Sequence, residues 1–189
     1  FCPALVGLLG MAAPRRAIAL RVWLSVLAPV ISLSILIAHV AAHGVDAGPA
    51  GIPWMPSLQL ELAFNPDRLG LFFALLVAAF GVPITLYARA YFGPDQNALF
   101  RLYPVLLLFM TAMLGLVLAD NFILLLLFWE LTSISSFLLI GWERDDPAAV
   151  KNALQAFIVT GAGGIALLAG LVLLGVTTGA WSFSSLATA

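Results

Sequence analysis

The sequence predicts an all-α membrane protein of about six transmembrane helices, with a short extracytoplasmic β-hairpin-like loop between helices 2 and 3. Three observations predict it. The chain has 189 residues, 63% of them apolar and only 9% charged, whereas an ordinary soluble domain is about a quarter charged. So few charges cannot cover a water-facing surface, so most of the surface must meet lipid or other apolar protein. Six stretches approach the roughly 20 apolar residues that a bilayer core of about 30 Å requires. Lipid offers no partner for free backbone groups, so each such stretch must be helical.

The first stretch, 1–13, ends before Pro14, Arg15 and Arg16. A secretory signal carries its positive charge ahead of its apolar core. Here the charge follows, so 1–13 is expected to be a transmembrane span whose start is missing. The second stretch, 17–42, is interrupted only by Arg21, and the third, 69–92, carries Gly81 and Pro83. The fourth, 99–119, has Pro104 in its expected first turns, where proline is tolerated. The fifth is 121–142 and the sixth 152–176. The chain closes on apolar and small polar residues, so both ends look cut. Between spans 2 and 3, residues 43–68 hold Gly44, Gly48, Pro49, Gly51, Pro53, Pro56 and Pro66, the composition of a loop. Within it, 57–64 alternates polar and apolar residues, the period of a short strand or hairpin arm. Links 93–98 and 143–151 close the other turns.

Other function classes are weakly represented. A net charge of −1 gives no argument for nucleic acid. The one cysteine, Cys2, allows no internal disulfide. No Cys/His cluster or HExxH motif suggests a zinc site, and nothing suggests a bound cofactor.

Of the nine acids, eight fall in loops or at helix ends. Glu130 does not. It lies roughly 14–18 Å from either end of the fifth stretch at 1.5 Å per residue. A charge at that depth costs roughly 3 kcal/mol on insertion scales, so the side chain must face protein or water rather than lipid. Burial favours the neutral acid and a nearby cation the ionised one, and a group balanced between them can load and unload a proton. The alternative is a structural glutamic acid hydrogen-bonded to a neighbouring helix. No basic residue of these spans lies at its depth.

Thr132, Ser133, Ser135 and Ser136 follow it. Ser133 is one turn away on the same face, where helix packing and ion coordination are both open. The other three suit close packing. Gly161, Gly163, Gly164 and Gly170 in span 6 also suit close packing, or a weakened helix that admits water. Asp120 and Asn121 form the turn between spans 4 and 5, either as turn chemistry or as the mouth of an ion path. Lys151 opens span 6, either as an interfacial anchor or as a relay that biases Glu130. His39 and His43 lie at the interfacial end of span 2.

The run LGLVLADNFILLLLFWELTSISSFLLIGW (114–142) resembles the antiporter-like subunits shared by Mrp-type multisubunit sodium/proton antiporters and respiratory complex I. Within that group, FWELTSISSFLLIGW is most similar to the A-type subunit of the Mrp antiporter. NPDRLGLFFALL (65–76) resembles the family's entry to the third span. The neutral VTGAGG (159–164) departs from the L-type complex I subunit, which carries an arginine and an aspartate there, and leans toward Mrp.

The resemblance implies that Glu130 is the family's conserved acid of the fifth span, partnered by a lysine on a seventh span that this chain does not reach. It implies a unit of about fourteen helices containing inverted repeats, of which this chain is the N-terminal part. Residues 1–98 would then hold helices 1–3 with the loop 43–68, and 99–189 a truncated start of the first repeat, helices 4–6. The expected function is that of a secondary transporter subunit, not an enzyme, in a hetero-oligomeric complex exchanging Na+ for H+. The implied roles are Glu130 as proton carrier, with Ser133, Lys151 and Asp120 supporting. One alternative is a proton-translocating subunit of NADH:quinone oxidoreductase or a membrane-bound hydrogenase, without a redox site of its own. Another is a purely structural membrane subunit.

Seven of the eight basic residues fall on alternate links: Arg15, Arg16 and Arg21, then Arg89 and Arg101, then Arg144 and Lys151. Positive charge marks the cytoplasmic side, so loops 14–21, 93–98 and 143–151 are expected there, with an extracytoplasmic N-terminus in the cell membrane. A cysteine placed at Glu143, in a Cys2→Ser background, should resist an impermeant thiol reagent in intact cells and react after permeabilisation. Labelling of intact cells would reverse the topology.

Overall fold

The computed structural model describes residues 3, 6, 18–45, 48–55, 60–93 and 96–188. The expected first span, 1–13, lies outside them apart from Pro3 and Val6, both helical, as do Arg15 and Arg16. The described chain runs α1 (Ile18–His43), β1 (Ala50–Met55), β2 (Leu60–Phe64), α2 (Arg68–Phe92), α3 (Gln96–Leu118), α4 (Phe122–Ile140), α5 (Pro147–Thr178) and α6 (Phe183–Thr188). Helices α1 to α5 are each long and apolar enough to cross a bilayer. Consecutive helices from α1 to α5 pack on one another, and α1 also reaches α3. Large apolar side chains such as Phe72, Tyr87, Ile158 and Ile165 stand exposed around the outside, as lipid-facing helices require.

Capping chemistry sets the helix limits. Asp67 accepts from Gly70 N–H at 2.6 Å and opens α2. Asn121 accepts from Ile123 N–H at 2.9 Å and opens α4. Asp146 accepts from Ala148 N–H at 2.9 Å, with Pro147 in the first turn, and opens α5. These side chains satisfy helix N–H groups that have no intrahelical partner. The Asp-Pro pair therefore begins a helix where the sequence suggested the charged link 143–151. As a result α5 runs 32 residues, about 48 Å at 1.5 Å per residue, and Lys151 sits inside it. Likewise α3 starts at Gln96, not 99, so Pro104 falls mid-helix rather than in the first turns. Gly179, in left-handed conformation at φ 72°, stops α5.

The expected hairpin is present. β1 and β2 pair antiparallel from Ala50 opposite Phe64 to Met55 opposite Leu60, with an irregularity between Pro53 and Met55. Pro53 concealed β1 in the sequence, since proline suits a strand only at an edge or bulge. The helix ends form two poles. Arg89, Arg101, Arg144 and Lys151 gather at one, the basic end. The hairpin, the α3–α4 turn and α6 gather at the other, the hairpin end.

At the hairpin end, the turn between α3 and α4 is a backbone junction. On one side Asp120 N–H donates to Ala63 O at 3.0 Å and Asn65 N–H to Leu118 O at 2.9 Å. On the other, Phe122 N–H donates to Trp181 O at 3.1 Å and Phe183 N–H to Asp120 O at 2.9 Å. Asp120 is 2% exposed. Its Oδ1 accepts from Ser184 N–H at 2.9 Å and its Oδ2 from Ser184 Oγ–H at 2.5 Å. One buried side chain thus ties the end of α5's return segment to the start of α4.

Small residues set the helix separations. A Cβ on Gly81 of α2 would stand 3.0 Å from both Met110 Sδ of α3 and Pro29 Cβ of α1. A Cβ on Gly115 of α3 would overlap the Phe128 ring of α4. Such approaches substitute for hydrophobic driving force inside lipid. The buried Tyr103 hydroxyl donates to Thr85 O at 3.1 Å, linking α3 to α2.

Two stability outcomes follow from these contacts. Gly115→Ala should cost about 1–3 kcal/mol through overpacking, read as earlier thermal unfolding of the detergent-solubilised complex, and Phe128→Leu should restore it. Asp120→Ala should cost about 1–3 kcal/mol for the buried donors left unpaired. Hydrogen exchange at the Ser184 amide should then accelerate while amides in α2 stay protected.

Candidate intramembrane carboxylate site

Glu130 occupies the middle of α4, eight residues after Phe122 and ten before Ile140. That is about 12–15 Å from either end. Every other charged side chain in the described helices lies within the first or last two turns. The reason Glu130 can sit there is local. The short turn 141–146 folds α5 back antiparallel on α4. Gly141 then meets Ala153, with a Cβ on the glycine 3.2 Å from the alanine Cβ. Phe137 meets Phe157, ring centroids 5.4 Å apart, and Glu130 meets Gly164. Each pair is spaced evenly about Pro147, as an antiparallel register demands.

The carboxylate is partly buried and lies directly over Gly164. A Cβ built on that glycine would overlap Glu130 Oε1 and would stand 3.2 Å from Trp129 Nε1. The neighbouring Trp129 indole N–H points to Thr160 O at 3.4 Å, one turn earlier on α5. Two successive α4 side chains therefore converge on one patch of α5 backbone. Trp129 and Thr160 were not singled out from sequence. The antiparallel register about Pro147 is the signal that could have found them.

The hydroxyls near Glu130 are turned inward on their own helix. Thr132 Oγ1 donates to Trp129 O at 2.7 Å and Ser133 Oγ to the same carbonyl at 3.1 Å. Ser135 Oγ donates to Leu131 O at 2.7 Å. This i−3 or i−4 back-bonding is usual for hydroxyls inside helices. Ser133 is buried on the Glu130 side. Ser135 is buried on the opposite face, with Phe128. Among the described residues the Glu130 carboxylate has no hydrogen-bond or ion-pair partner.

The other residues singled out from sequence stand apart. Asp120 is ten residues before Glu130, about 15 Å along the axis, and is enclosed in the hairpin-end junction. Lys151 is exposed in the second turn of α5, thirteen residues before Gly164 and about 20 Å away along the axis. His39 and His43 stack at the hairpin end of α1, ring centroids 5.0 Å apart. Of the four glycines in α5 singled out from sequence, only Gly164 meets another helix. A Cβ on Gly161, Gly163 or Gly170 would enter open space.

Comparison with known proteins places this geometry. A family described as NADH:quinone oxidoreductase/Mrp antiporter, transmembrane, matches residues 119–189. A protein named antiporter subunit mnhA2 from Staphylococcus haemolyticus is 40% identical over 168 residues, 88% of this chain and 21% of the relative. Its namesake from Staphylococcus saprophyticus is 44% identical over 135 residues, 71% of this chain and 17% of the relative. The chain therefore spans about a fifth of the length of these relatives. Among solved structures, the Mrp complex from Dietzia sp. DQ12-45-1b matches with a TM-score of 0.79 and 30% identity, over 97% of this chain and 19% of that one. An archaeal respiratory complex, the membrane-bound sulfane sulfur reductase, shares the fold at a TM-score of 0.72 and 22% identity, over 97% of this chain and 28% of that one. By sequence and by fold, the chain is similar to the antiporter-like membrane subunits common to Mrp antiporters and NADH:quinone oxidoreductase, and the family match itself covers residues 119–189.

Proposed function

We propose that this chain is the N-terminal part of the A-type subunit of an Mrp antiporter, in which Glu130 takes up and releases a proton during exchange of Na+ for H+. The observation that carries the reading is the position of Glu130. It is a lone carboxylate at mid-depth, seated against a neighbouring helix and without a partner among the described residues. An acid in that setting marks an ion or proton path far more often than a structural bond. The antiporter relatives and the Mrp complex supply the reaction class.

In this mechanism, Glu130 is neutral while it holds the proton and charged once it has released it. The lysine that the family resemblance places on the next span draws the proton off again by stabilising the carboxylate. Alternation of those two states couples inward proton movement to outward sodium movement. A full crossing supplies roughly 2.3 kcal/mol per charge per 100 mV. Ser133 supports by shaping the buried side of the helix. Lys151 and Asp120 act at the two poles, through anchoring and through the junction. The basic end faces the cytoplasm of the cell membrane, the N-terminus lies outside, and other subunits of a hetero-oligomeric complex complete the path.

A second reading, a proton-translocating subunit of a quinone reductase or hydrogenase, is favoured by the family description itself, which joins the two systems. Transport that depended on an added reductant would select it.

Glu130→Gln in the complete complex, reconstituted into vesicles, should lower Na+-driven proton movement at least about tenfold with assembly unchanged on native gels. A positioned proton-transfer group typically contributes roughly 10²–10⁴-fold, so tenfold is the least loss expected. Unaltered exchange by this variant would end the proposal.

A further inference from the structure

We propose that Gly164 is a positioning residue for Glu130: its missing side chain forms the seat that holds the carboxylate against α5, closed on one side by the Trp129 indole. The inference rests on the reading of Glu130 as the proton carrier and adds the element that fixes its geometry.

Three observations carry it. Gly164 is buried, whereas Gly161, Gly163 and Gly170 on the same helix are not. A Cβ at position 164 would overlap Glu130 Oε1 and press on Trp129 Nε1 and Cδ1 at 3.2 and 3.3 Å, whereas a Cβ at 161, 163 or 170 would meet nothing within 4 Å. The indole is itself tied across to α5 through Thr160 O at 3.4 Å, so it cannot retreat without losing that bond. The seat is therefore specific to one of these four glycines, and the indole forms its wall.

The physical consequence concerns distance. Proton transfer needs donor and acceptor within roughly 2.6–3.2 Å, directly or through one water. A displacement of about 1 Å costs roughly a hundredfold in rate. A methyl group at 164 cannot coexist with the carboxylate where it lies, so the acid must swing to another rotamer. Helix propensity runs the other way, because alanine is the better helix former. Helix propensity alone therefore predicts that Gly164→Ala is harmless, and positioning predicts that it is not.

The experiment compares Gly164→Ala with Gly163→Ala in the complete complex, measuring exchange rate and its pH profile. Gly164→Ala should slow exchange about 10- to 100-fold and displace the pH profile, and Gly163→Ala should change neither. Glu130→Asp, one methylene shorter, withdraws the carboxylate from the seat. In that background Gly164→Ala should cost less than about threefold in rate, far below its cost beside glutamate. Infrared titration of the residue 130 carboxyl, isolated by subtracting the Glu130→Gln spectrum, gives the same comparison if either variant transports too slowly. Its midpoint should move with Gly164→Ala beside glutamate and stay put beside aspartate. Equal effects of the 163 and 164 substitutions, or an equal cost of Gly164→Ala in both backgrounds, would overturn the positioning role. Retention of exchange by Glu130→Gln would instead overturn the proton-carrier reading on which it stands.

Discussion

A carboxylate in hydrocarbon needs a place to be, and the contact between Glu130 and Gly164 is that place. Insertion scales put the cost of an unsupported charge at mid-depth at about 3 kcal/mol, a large share of a typical domain's stability. The chain meets this by turning the residue inward, onto Gly164, the glycine of α5 that faces it and has no side chain to displace. The turn at 141–146, the Asp146 cap and the equal spacing about Pro147 all serve that register. Shifting α5 by one residue would bring Gly163 or Ile165 toward the carboxylate. Ile165 would fill the seat and drive the acid toward lipid.

The junction at the hairpin end holds the rotation of α4 from the other direction. Asn121 caps α4, and Asp120 fastens the turn to β2 through its backbone and to Ser184 through its side chain. Backbone bonds on both sides of a three-residue turn leave α4 little freedom to roll. At its far end, Phe92 and Arg101 pack on Trp142, and the close approach of Gly115 to Phe128 sets its distance from α3. The helix that carries the charge is thus constrained at both poles and at its waist, while most of α5 beyond Ala153, Gly164 and Gly175 stands exposed.

The membrane class, five described helices and the mid-helix position of Glu130 were legible because they rest on one-dimensional signals. An apolar run needs only its length, and a lone acid within it needs only its index. The start of α5 was misplaced because Glu143 to Asp146 and Lys151 were weighed as charge, although Asp-Pro is also a cap followed by a first-turn proline. The hairpin was legible but the place of its first arm, β1, was not, because Gly51 and Pro53 argue for a loop and only pairing with Leu60–Phe64 makes a strand of it. Asp120 stood out as a polar turn residue, but its burial depends on Ser184, sixty-four residues later in the chain. The glycines at 161, 163, 164 and 170 were indistinguishable by composition. Choosing Gly164 among them requires knowing which face of α5 meets α4.

The same geometry weighs the two physical readings of the buried acid. A structural glutamic acid in lipid should be hydrogen-bonded, because an unmade bond to a buried polar group is costly. The donors closest in sequence are all committed elsewhere. The Trp129 N–H goes to Thr160 O, and the Thr132 and Ser133 hydroxyls both go to Trp129 O. A glycine seat supplies space without supplying a bond. That combination suits a group whose charge is compensated from outside these helices and can change, and it suits poorly a group whose task is to fasten two helices together.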